Sequence, residues 1–237
     1  MKEQPLPFDA AQDLRDAPRA GGAQRPKDAA TLILTRGGAR PEVLMGRRAP
    51  SHVFMASKWV FPGGRIDRAD FGAASTSALP SEVARRLEAE VPARRARALA
   101  LAAVRETFEE TGLILGRPAP PVTVAGPWRE YRRAGALPDL AVLSYIARAI
   151  TPPGRSRRFD ARFFMAPAEA LLTPEPTAGS GELEEIAWLP LDQALTLDLP
   201  AITRFVLSEA AERLHCPERP LPFVRMVRGR HVVEHRG

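Results

Sequence analysis

A chain of 237 residues, 45% of them hydrophobic, suits one globular domain with a sizeable core. Its formal charge of +6 comes almost wholly from arginines scattered among alanines and prolines, not gathered with aromatics in a stripe, which argues against a nucleic-acid groove. No apolar run reaches membrane-spanning length, and the single cysteine, Cys216, excludes an internal disulfide and suits a cytoplasmic, reducing setting.

Residues 1–28 are rich in proline and alanine, lack the apolar core of a signal peptide, and read as a flexible lead-in to a single domain over residues 29–237. Strands are predicted over Ala29–Arg36 and Glu42–Arg48 from their apolar runs and alternation. A third β-rich run approaches Pro62 from Val60 and ends in "FPGGRID", where paired glycines permit positive φ and close approach of a ligand or ion. Ser81 is a candidate N-cap for a short helix over Glu82–Glu90, which breaks at Pro92 before a longer helix ending at Thr111. Gly112 stands where a left-handed helix cap is expected, and Leu113–Leu115 suit a short buried strand. Further strands are predicted near Val122–Gly126, Tyr145–Thr151, Arg162–Ala166 and Leu183–Leu189. Pro200–Leu214 carries helical spacing, and "LPFVRMVRGRHVVEHR" alternates around Gly229 as a hairpin. There is no internal repeat, and nothing in the patterning specifies an oligomer. The composite is an α/β protein, a mixed sheet between helices in an α/β/α sandwich.

The chemistry concentrates in "AAVRETFEETGLILG", residues 102–116. Each helical residue advances by about 100°, so Glu106, Glu109 and Glu110 share roughly one third of the circumference, opposite Leu101, Val104 and Phe108. Three carboxylates at a helix C-terminal end face the partial negative charge of the last carbonyls and one another. Arg105 can pair with Glu109 at i,i+4, which leaves Glu106 and Glu110 without a local partner. A hard divalent cation such as magnesium, with manganese as the alternative, would supply the missing charge. An acidic run of this kind usually means a solvated helix face; the glycine pair upstream makes the metal reading the stronger one. Four histidines, His52, His215, His231 and His235, show no metal-ligand spacing and read as surface residues.

With these residues in view, the sequence resembles the Nudix hydrolases, whose signature is G-x5-E-x7-R-E-U-x-E-E-x-G-U with U apolar. Gly64 and the run Arg105–Leu113 match its two ends. Thr107 stands at a position usually apolar, and the signature's first glutamate, counted forward from Gly64, falls on Asp70. The signature places 13 residues between its glycine and arginine, whereas 40 lie between Gly64 and Arg105 here, so an insertion at about residues 71–97 splits the motif. That insertion reads either as a substrate-contacting lid or as a tolerated surface addition. Split motifs of this kind resemble the branch of coenzyme A and acyl-coenzyme A diphosphatases, as do "FMASKWVFPGGRIDRADF" and "ARAITPPGRSRRFDARFFMA".

The resemblance implies a hydrolase of a diphosphate that joins a nucleoside to another moiety, with a small-molecule nucleotide as its partner. It implies that Glu106, Glu109 and Glu110 hold the metal with the Gly64 carbonyl as a further ligand, that Arg105 orients Glu109, and that Glu182 is a further acid near the metal. Glu182, with Glu184 and Glu185, also reads as a solvated strand edge. Arg47 and Arg48 are candidate phosphate contacts, of which one should point to solvent on an alternating strand. A Nudix hydrolase for NADH, ADP-ribose or another nucleotide is one alternative; a non-catalytic ligand-sensing Nudix module and a messenger-RNA cap hydrolase are two more. The sensing module usually lacks part of the acidic set, and the cap hydrolase calls for a basic, aromatic groove.

Overall fold

The computed structural model describes residues 24–49, 57–177 and 181–236. In chain order it contains β1 (Lys27–Arg36), β2 (Glu42–Arg48), β3 (Trp59–Val60), β4 (Gly63–Arg65), α1 (Ser81–Glu88), α2 (Ala93–Thr111), β5 (Gly116–Pro118), α3 (Arg129–Arg133) and β6 (Ala136–Pro138). The second half adds β7 (Ser144–Ile150), β8 (Phe159–Pro167), β9 (Leu183–Pro190), α4 (Leu191–Ala194), α5 (Ala201–His215), β10 (Leu221–Val227) and β11 (Arg230–Arg236). Short 3-10 turns at Arg68–Phe71, Leu140–Val142 and Ala168–Ala170 complete it. Most of the lead-in lies outside the described residues, as does His52; β1 already includes Lys27 and Asp28.

The main sheet runs β11-β10-β7-β8-β1-β2-β3, with β4 beside β1 and β9 beside β2. It is mixed: β1 is parallel to β8 and β10 to β7, while the other pairings are antiparallel. Strand alternation divides the core into two layers. Ala30, Leu32, Leu34 and Leu44 pack with α1 and α2, whereas Ile33, Val43 and Met45 pack with α4 and α5 on the opposite face. The expected α/β/α sandwich is the observed architecture.

Several local expectations are corrected. Val122–Gly126 is not a strand; the chain pairs just upstream instead, Gly116–Pro118 against Ala136–Pro138. Leu113–Leu115 is buried but forms only one bridge, Leu115 to Leu171. Ser81 is the first helical residue, and Pro80 stands at the cap without a side-chain bond. The helix bearing the acidic run is also not a surface helix with an outward carboxylate face. α2 is covered on nearly every side, and Glu110 is only 3% exposed.

Candidate active site

The glycine pair enters β4 between β1 and the C-terminal part of α2. Neither Gly63 nor Gly64 adopts positive φ, so the conformational freedom the pair permits is not used there. Their role is space. A Cβ on Gly63 would stand 2.6 Å from the Ala30 carbonyl oxygen of β1, and one on Gly64 would collide with the Glu106 carboxylate. Gly63 thus lets the strand lie close against β1, and a side chain at Gly64 would displace the Glu106 carboxylate. The helix itself ends as its sequence indicates, with Gly112 at φ 73° and its N–H donating to the Phe108 carbonyl at 2.8 Å.

Arg105 organises the carboxylates. Its Nε and Nη2 donate to the two oxygens of Asp70 at 2.9 and 3.0 Å, and Nη2 also reaches the Arg65 carbonyl at 2.9 Å. Nη1 donates to Glu106 at 2.8 Å and to Glu109 at 2.9 Å. Asp70, fully buried, further accepts from the Trp128 indole N–H at 3.0 Å and from the Asp67 N–H at 2.8 Å. The counterpart of the signature's first glutamate therefore grips the arginine, and its shorter side chain suffices because the 3-10 turn at Arg68–Phe71 brings its backbone close. Burial would lower the Arg105 pKa, but Asp70, Glu106 and Glu109 more than offset this and raise it. The local pairing expected for Arg105 and Glu109 is present, and Glu106 has the same partner.

Glu110 lies deepest. It accepts from the Gly63 N–H at 3.2 Å, and burial, reinforced by Glu106 and Glu182 and opposed by Arg48, pushes its carboxyl up to about 8. Glu106 and Glu109 are also raised, chiefly by burial, with Arg105 opposing. Glu182 is exposed just before β9, which pairs with β2, and its carbonyl accepts from Ala49 N–H at 3.4 Å. That pairing sets Glu182 beside the α2 carboxylates. Arg47 and Arg48 diverge: Arg47 is exposed and pairs with Glu185 at 3.2 Å, while Arg48 lines the same cavity as Glu106 and Glu182.

Among the described residues, no three acidic, histidine or cysteine side chains already converge as a metal-binding cluster. Glu106 and Glu109 are turned onto Arg105, and Glu110 onto the glycine N–H. The donor set nevertheless fits a hard cation: oxygen-only, crowded, and raised in pKa by burial and like charge, conditions that a divalent ion relieves.

The carboxylates open into a cavity of about 880 Å³ that includes Gly63, Gly64, Arg105, Glu106 and Glu182 in its wall. It also includes His231, which is half-buried there and not a plain surface histidine. Trp128 and His231 carried no signal in the sequence, since each reaches the site only through tertiary packing.

The family model described as the NUDIX domain matches residues 25–208. The chain belongs to the NUDIX domain family. It is 28% identical over 209 residues to the acyl-coenzyme A diphosphatase NUDT19 of Gallus gallus, across 65% of this chain and 55% of that protein, so it spans about half the length of that relative. The human protein of the same name is 26% identical over 294 residues, covering 86% of this chain and 77% of the relative. Among solved structures, a NUDIX hydrolase from Alicyclobacillus acidocaldarius is similar at 29% identity and a TM-score of 0.57, over 78% of this chain and 90% of that one. Among the described residues, no helix is long and apolar enough to cross a membrane.

Proposed function

We propose that this member of the family is a divalent-metal-dependent diphosphatase of coenzyme A or acyl-coenzyme A, working in a reducing, cytoplasmic setting. The observation that carries the reading is the end of α2, where Arg105, clamped by Asp70, orders Glu106 and Glu109 against the Gly63–Gly64 strand at the floor of a large cavity. The names of the chicken and human relatives support the substrate class.

Glu106, Glu109 and Glu110, with the Gly64 carbonyl, are the groups that would hold magnesium or manganese. A cation held there would neutralise the diphosphate and would lower the pKa of a bound water. Arg105 keeps two of the carboxylates aimed, and Asp70 keeps Arg105 aimed. Arg48 supplies positive charge for a phosphate oxygen. Glu182, exposed on the cavity wall and outside the reach of Arg105, takes the proton of the attacking water. The water oxygen bonds to phosphorus, the P–O bond of the diphosphate bridge breaks, and the departing phosphate keeps the electron pair.

Incubation of the purified protein with magnesium and coenzyme A should release 3′,5′-ADP and phosphopantetheine, resolved by chromatography. Survival of coenzyme A alongside cleavage of ADP-ribose or NADH would replace the substrate. No cleavage of any diphosphate with magnesium or manganese would favour a ligand-sensing module.

A further inference from the structure

The cavity that meets the carboxylates extends well beyond what a diphosphate occupies, and where the start of β1 meets the β7–β8 loop its wall carries three cations against one carboxylate, Asp28. Arg155 and Arg157, from the loop joining β7 to β8, line it together with Lys27 at the start of β1. Arg155 is 6% exposed and lines the cavity wall. Arg157 is exposed and has no ion pair among the described residues. Arginine presents a planar fork of donors that matches phosphate oxygens in pairs.

A second cavity of about 660 Å³ shares Glu106 and Glu182 with the first and leaves the carboxylates by another route. Its wall includes Phe108, Pro127 and Thr177, and its one cation, Arg129, is accompanied by Glu109, Glu110 and Glu130. The two routes therefore differ in charge: an anion finds several cations on the first route and mainly carboxylates on the second.

We propose that the basic wall of the larger cavity is a subsite for a second phosphate, a monoester on the nucleoside arm of the substrate, with Arg155 and Arg157 as its contacts. The uncharged arm then leaves through the smaller cavity. The inference rests on the diphosphatase reading for the direction in which the ligand lies, and it assigns the discrimination between phosphorylated and unphosphorylated nucleosides to the β7–β8 loop.

The test uses the exposed member of the pair, because truncating buried Arg155 would also disturb packing. Calorimetry of the full chain should show adenosine 3′,5′-bisphosphate binding at least about tenfold more tightly than adenosine 5′-monophosphate, the effect of a charge-assisted contact. Arg157→Ala should narrow that preference several-fold, Arg157→Glu should abolish it, and Arg157→Lys should keep part of it. The ratio of kcat/KM for coenzyme A over its 3′-dephosphorylated form should fall in the same order. Equal binding of the two nucleotides by the wild-type protein, or a preference untouched by Arg157→Glu, would overturn the subsite even if coenzyme A is cleaved. A preference that depends on Arg157 in a protein that cleaves no coenzyme A would uphold the subsite and overturn the diphosphatase reading.

Discussion

With its pKa pushed up to about 8 by burial and by the carboxylates around it, Glu110 keeps its proton at neutral pH in the folded, metal-free protein and loses it on unfolding. A raised carboxyl contributes stability that is complete below its unfolded value and is lost as pH rises through its folded value. The metal-free protein should therefore lose stability between roughly pH 4.5 and 8, the two values for this group. Glu110→Gln should flatten that slope and raise the metal-free Tm at pH 8 by roughly 2–4 °C for each kcal/mol recovered. The same variant should lose the magnesium-induced rise in Tm and about a hundredfold or more in turnover. Thermal melts across pH, with and without magnesium, check the first part, and a rate assay checks the second. The acidic trio was legible because its members are neighbours on one helix. The clamp on Arg105 was only partly so: Asp70 lies 35 residues from Arg105 and Trp128 lies 58 from Asp70, separations over which no local pattern speaks.

The insertion shows the same limit at the scale of an element. Its helix was readable from spacing, but its packing into the core was not. Val83 and Leu87 of α1 belong to the same buried cluster as α2, and Phe71 and Arg95, near the two ends of the insertion, line the larger cavity. Just beyond α1, the Glu90 side chain faces Arg148 at 3.3 Å, Arg162 at 3.4 Å and Arg236 at 3.4 Å, and accepts from the Tyr145 hydroxyl at 3.2 Å. Removing one partner from a buried pair costs about 3–5 kcal/mol. Glu90→Ala should fall toward the lower end of that range, because Asp28 and Asp160 still face Arg162. Urea denaturation should show the loss, while kcat/KM of the folded protein changes little. A large change in substrate preference without loss of stability would return the insertion to a lid role.

For the whole molecule, alternation and helical spacing reveal a sandwich but not the order of its strands, because pairing partners are chosen by surfaces remote in sequence. β1, the first strand, lies near the middle of the sheet, parallel to β8 over Lys27–Thr35. The hairpin β10–β11 falls beyond the matched family region yet extends the sheet through β10 alongside β7, burying Leu221, Phe223 and Val224. A chain ended at Cys216 should therefore lose its cooperative urea transition, with circular dichroism as the readout; a truncated chain with the full-length midpoint would show the hairpin to be dispensable. The bond from Arg236 to Glu90 spans 146 residues, so the insertion is tied down by almost the last side chain of the chain. During synthesis, α1 and α2 emerge before β7, β8 and β11, which carry the arginines that face Glu90. Enzyme activity should appear only after the C-terminal hairpin has emerged, and slow, non-local closure makes this interval the time when a chaperone has most to hold.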